Sequence, residues 1–141
     1  MSKLTLAQAN KIIEGALANA RQLKIKPLAV AVLDDGGHIK SVQREDAATM
    51  FRVDVAIGKA WASVSMGASS RVLLGRAKEN PQFFGALSAT AQGKFLPQTG
   101  AVLIKDMDGT ILGAAGASGG TGDEDEAVCI AGIAAAGLVA G

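Results

Sequence analysis

From Ala127 to Ala140 every residue is alanine, glycine, cysteine or an aliphatic. A helix that is apolar on every face has to be covered on every face. The run is shorter than the ~20 residues that cross a bilayer, so it reads as a buried helix of a globular domain. Aromatic residues make up 4% of the chain and tyrosine is absent, against 49% hydrophobic residues. The core around this helix must therefore be built from Ala, Val, Ile and Leu, with backbones at close range. At 141 residues the chain is expected to form one domain, 1–141. So small a domain has little left to cover a second helix face, and the expectation is a homo-oligomer with the C-terminal helix at the interface.

The rest of the chain supplies the partners for that helix. Thr5-Leu6-Ala7-Gln8 has capping-box spacing, and Leu6, Ala9, Ile13, Ala16, Leu17, Ala20 and Leu23 recur at helical intervals. Leu28–Leu33 and His38–Val42 flank Asp34-Asp35-Gly36-Gly37 as two strands of a hairpin. Met50–Met66 reads as a helix, followed by two shorter ones around Arg71–Lys78 and Gln82–Ser88, the latter opened by Asn80-Pro81. Ala101–Lys105 and Ile111–Ala117 flank a second turn at Asp108-Gly109. Helix, hairpin, helices, hairpin, helix is an α+β order, with an antiparallel sheet covered by helices.

Several function classes are disfavoured at once. Fourteen basic residues against 13 acidic ones leave a formal net charge of only +1, too little to hold nucleic acid or an anionic membrane. One cysteine, Cys129, cannot make an intrachain disulfide, and one histidine, His38, cannot make a multi-histidine metal site, so no metal centre is expected. The amino end reads as an amphipathic helix rather than a secretion signal. The expectation is a cytoplasmic protein with a reduced, inert Cys129.

The segment GASGGTGDEDEA, Gly116–Ala127, divides into two parts. Thr121 and Glu124 have capping-box spacing, and the acids sit where a helix dipole favours negative charge. The glycines before them allow close backbone approach to a ligand, which makes Ser118, Gly119, Gly120 and Thr121 candidate ligand contacts. Arg44 and Asp46 lie on one face at a strand end, where a cation and a carboxylate can bind an acid and move a proton. Asp125 is a second candidate base. If the two hairpins are sheet neighbours, these groups face one pocket, completed by Phe83 or Phe84. Lys59 reads as a lysine snorkelling from an apolar helix, with a substrate anchor or a tuned base as the alternatives.

The stretches GGHIKSVQREDAA, AIGKAWAS and DGTILGAAGASGGTGDEDEAVCIAGIAA resemble the GlcG/HbpS family, which also takes in the C-terminal domain of PduO-type proteins. The resemblance runs over nearly the whole chain. It implies a profilin-like domain whose central antiparallel sheet has about five strands flanked by helices, assembled as an oligomer. It also implies haem, iron or corrinoid-pathway roles, or a place beside glycolate and aromatic catabolism. The expected function is a small-molecule-binding protein for a small carboxylated or oxygenated catabolic metabolite, with catalysis left open. The alternatives are a haem- or tetrapyrrole-binding module using His38, which would make haem the cofactor, and a structural partner protein without its own ligand.

Overall fold

A reciprocal cap opens the first helix, α1 (Leu6–Gln22): Thr5 Oγ1 accepts the Gln8 amide at 3.1 Å while Gln8 Oε1 accepts the Thr5 amide at 3.0 Å. Such a cap is worth about 1 kcal/mol. The computed structural model describes residues 3–141. After α1 come β1 (Ala29–Asp34), β2 (Ile39–Arg44), α2 (Phe51–Met66), α3 (Ser70–Glu79) and α4 (Pro81–Thr90). The chain then returns through β3 (Ala101–Lys105), β4 (Ile111–Ser118), α5 (Gly122–Ala135) and β5 (Val139–Ala140).

One device builds both hairpins. Asp34 Oδ1 accepts the amides of Gly36 and His38 at 3.0 and 2.9 Å, and Asp106 Oδ1 accepts those of Asp108 and Thr110 at 2.9 and 3.0 Å. Three residues after each aspartate stands a glycine in the left-handed region, Gly37 at φ 79° and Gly109 at φ 84°. The five strands form one antiparallel sheet in the order β2-β1-β4-β3-β5.

Helices cover both faces of this α+β sheet. Val30, Val32, Ala115, Ala117, Val102 and Ile104 meet Ile12, Ile13 and Ala16 of α1 and Val128, Cys129 and Ile133 of α5. On the other face, Leu33, Ala101, Leu103 and Ala114 meet Ala60 of α2. A Cβ at Gly116 would lie 2.4 Å from the Ala56 carbonyl, so α2 rests almost directly on β4. Leu73, Phe84 and Phe95 form a satellite cluster with Ala62, outside α2.

One expectation for the C-terminal run changes. Its helix stops at Ala135, and Gly137 at φ 75° turns the chain into β5, which pairs with β3 through Ile104–Ala140 and Lys105–Val139. Much of the cover for α5 comes from α1 of the same chain. A Cβ at Gly132 would lie 2.2 Å from the Ile12 carbonyl, and one at Gly15 would lie 2.8 Å from Ala135 Cβ. What α1 and the sheet leave outward is an apolar strip of Ala127, Ile130 and Ala134, with Ile130 43% exposed. Among the described residues no helix is long and apolar enough to cross a membrane.

Candidate functional site

Lys59 does not snorkel. Its ammonium passes the ends of β3 and β4 to reach the opposite helix layer, 3.1 Å from Asp125 Oδ2 and 3.0 Å from the Ala117 carbonyl. The two side chains are 7% and 1% exposed. Asp125 Oδ1 accepts the Gly120 amide at 2.9 Å, so both carboxylate oxygens are used. Gly100, at φ 137°, makes room: a Cβ there would stand 2.6 Å from Lys59 Nζ. A buried ion pair survives desolvation only with such extra hydrogen bonds.

The other acids of the block have separate partners. Glu124 closes the capping box, accepting the Thr121 amide at 2.9 Å while Thr121 Oγ1 accepts the Glu124 amide at 3.1 Å. Arg71 of α3 donates to Glu126 from Nε at 3.1 Å and to Asp123 from Nη2. These bonds, to Glu126 above all, push its pKa further up. Among the described residues no group of three or more His, Cys, Asp and Glu side chains is placed to hold a metal ion.

Beside the Lys59–Asp125 pair opens a cleft of about 450 Å³, walled by Val55, Leu74 and Leu96 and edged by Gln98, Thr99, Ser118, Gly120 and Thr121. Arg52, on the first turn of α2, stands over it with Nη1 3.5 Å from the buried Ser118 hydroxyl. Among the described residues Arg52 makes no ion pair. It was not among the candidates read from the sequence. Its one signal in the sequence is a cation on the first turn of a helix that also carries Asp54 and Lys59.

The structure gathers Ser118, Gly120, Thr121, Lys59 and Asp125 around one cleft and does not bring the remaining candidates to it. Arg44 and Ser118 flank Ala29 in register, two strand spacings apart on one face. Arg44 Nη1 nevertheless turns to the Ala48 carbonyl at 2.6 Å, and Arg44 and Asp46 line a separate depression with Leu17, Arg21 and Pro27. The expected shared pocket is therefore not formed. Gly119, at φ 146°, is pressed to the Pro27 carbonyl, 2.4 Å from where its Cβ would stand, and lines the neighbouring cleft instead. Phe84 is a core residue, 7% exposed with its ring 6.0 Å from that of Phe95, and Phe83 beside it faces outward.

His38 sits on the first hairpin turn with its side chain 82% exposed and Nδ1 3.3 Å from Asp34 Oδ1. Cys129 is fully buried, its Sγ 3.7 Å from the Gly100 carbonyl. Burial first, and then the nearby Asp125 charge, pushes its thiol pKa far up, as befits a packing cysteine.

Comparison with known proteins places the chain in a family. An uncharacterized 15.0 kDa protein in the dhaT-dhaS intergenic region of Citrobacter freundii is 26% identical over 125 residues, covering 89% of this chain and 86% of its own. The corrinoid adenosyltransferase PduO of the same organism is 25% identical over 132 residues, 94% of this chain, which spans only 38% of the length of PduO. The crystal structure of a PduOC:heme complex superposes with a TM-score of 0.85 at 26% identity, covering 97% of both chains. A family model described as haem degrading protein HbpS-like matches residues 4–134, and the chain belongs to that HbpS-like family.

Proposed function

We propose that the protein binds a small carboxylated metabolite in the cleft beside Ser118–Thr121, with Arg52 holding the carboxylate. The observation that carries this reading is an Arg52 guanidinium without an ion-pair partner among the described residues, set 3.5 Å from the Ser118 hydroxyl over a half-polar, half-apolar cleft. A guanidinium offers a carboxylate two parallel N–H donors. Gln98, Thr99 and Thr121 can orient the remaining oxygens, and Val55, Leu74 and Leu96 cover a short carbon skeleton. In this reading Lys59 and Asp125 brace the floor. Both Asp125 oxygens already accept hydrogen bonds, which favours binding over proton transfer as the cleft's role.

Calorimetric titration with acetate and longer monocarboxylates tests this. Arg52→Gln is expected to weaken binding by about tenfold, the scale of a charge-assisted pair, with the circular-dichroism melt unchanged. Equal binding by wild type and variant would overturn the reading.

Haem is the second reading, favoured by the family description and by the PduOC:heme complex. Haem iron is held by histidine, cysteine, methionine or tyrosine. Among the described residues none of these lines the Arg52 cleft, His38 lies out on a turn and Cys129 is sealed in the core. The cleft residues do not fit an iron-ligated haem. Haemin titration separates the readings: a Soret shift that disappears in His38→Ala would move the ligand to the hairpin turn.

The proposal extends to a cytoplasmic homo-oligomer. Ala127, Ile130 and Ala134 leave an exposed apolar strip at helical spacing, suited to a second copy. Light scattering that finds a monomer at micromolar concentration would remove this part.

A further inference from the structure

We infer that the ligand of the Arg52 cleft carries a second anionic group, held by Lys24 and Lys26 on the far side of Gly120 and Thr121; the inference rests on the carboxylate reading above. A neighbouring cleft, also of about 450 Å³, is lined by Lys24, Ile25, Lys26, Gly119 and Glu124. It shares Arg52, Gly120 and Thr121 with the first cleft, so the two meet at these residues. Three cations, two from the connector between α1 and β1 and one from α2, line this neighbouring cleft, and among the described residues none of them is in an ion pair. Glu124 is the acid that lines this second cleft, and its Oε1 already accepts the Thr121 amide at 2.9 Å, while Asp123 and Asp125, which line the first cleft beside Arg52, are paired with Arg71 and Lys59.

Lys24 stands where glycine would be the unstrained choice. It follows the last turn of α1 at φ 55°, with its amide on the Arg21 carbonyl at 3.3 Å and the Ile25 amide on the Ala20 carbonyl at 3.0 Å. The dipole of α1 accounts for a cation at that end. It does not account for Arg52, which arrives from α2 to face the same opening. An anion in each cleft, bridged by Arg52, uses all three cations. The ligand class is then a molecule with two separated acidic groups, such as a dicarboxylate or a phosphorylated carboxylate. The edge of a porphyrin also presents two carboxylates.

The test is calorimetry on the full chain with acetate, succinate, adipate and iron-free protoporphyrin. Lys24→Gly removes the side chain while supplying the residue that favours this backbone, and Lys26→Gln removes charge at nearly constant size. The expected result is that a diacid binds wild type more tightly than acetate, and that the two variants together lose at least about fivefold of diacid affinity while leaving acetate unchanged. Dependence on the lysines for succinate or adipate assigns the second cleft to a small metabolite, and for protoporphyrin alone to a macrocycle edge. If no diacid depends on the lysines, or acetate weakens equally, the second subsite is wrong. If Arg52→Gln leaves acetate binding intact, the carboxylate reading itself fails.

Discussion

The Lys59 ammonium lies 3.1 Å from Asp125 Oδ2 and joins two helices on opposite faces of the sheet, α2 and α5, around the strand ends. With so little solvent at either side chain, neither charge tolerates loss of the other. Lys59→Met should cost about 3–5 kcal/mol, because it strands a buried carboxylate. Lys59→Met combined with Asp125→Asn removes both charges and keeps an acceptor for the Gly120 amide. Most of the lost stability should return. Urea unfolding of the single and double variants measures this, and equal stabilities would show that the charges do not compensate each other.

Glycines with the same helical backbone should respond in opposite directions. A Cβ at Gly132 would collide with the Ile12 carbonyl at 2.2 Å, so Gly132→Ala must push α1 and α5 apart. Overpacking of this kind costs about 1–3 kcal/mol. Gly75 and Gly85 are exposed in α3 and α4, with nothing within 4 Å of an added Cβ. Gly75→Ala and Gly85→Ala should each stabilise by roughly 0.5–1 kcal/mol, the helix-propensity difference. Thermal melts of the three variants decide whether local contact or intrinsic propensity sets the sign.

What was legible in the sequence was what is local. Thr5 with Gln8 and Thr121 with Glu124 are matched by spacing alone, since each cap is complete within four residues. The α+β order followed from hydrophobic period and turn residues, which act over similar distances. Asp125 looks like its acidic neighbours until Lys59, 66 residues away, arrives beside it. Arg52 was passed over in favour of Arg44 for the same reason. Both are cations at element ends, and only the seating of α2 on β4 through Gly116 brings Arg52 to Ser118. Phe83 and Phe84 are adjacent on a short helix whose apolar residues show too little periodicity to say which one turns inward. The apolar C-terminal run gave no sign that Gly137 divides it into a helix and an edge strand.

Cys129 should be silent in the folded protein. The thiolate is the reactive form, and burial together with the Asp125 charge disfavours it. Iodoacetamide should label Cys129 only as fast as the protein opens, and urea that unfolds the chain should bring labelling to the rate of a free thiol. Rapid labelling of the native protein would mean that the contact between α5 and the sheet opens far more readily than its packing implies.

Asp34 gives the first hairpin a pH dependence whose sign follows from its surroundings. Burial pushes its carboxyl pKa up, but the His38 and Gly36 amides and the His38 ring outweigh burial, so the net displacement is downward from 3.8. The unfolded chain therefore takes up the proton first as pH falls. The Asp34 contribution is complete above the unfolded value and disappears as pH drops through the lower folded one. Asp34→Asn keeps an acceptor for both turn amides and deletes only the charge. Below about pH 5 the stability gap between wild type and Asp34→Asn should close on further acidification, because only the wild type then loses a charge. Paired urea unfolding across that range tests it directly, because the other carboxylates titrate alike in both proteins. A gap that widens toward acid would mean that the turn amides prefer the neutral side chain.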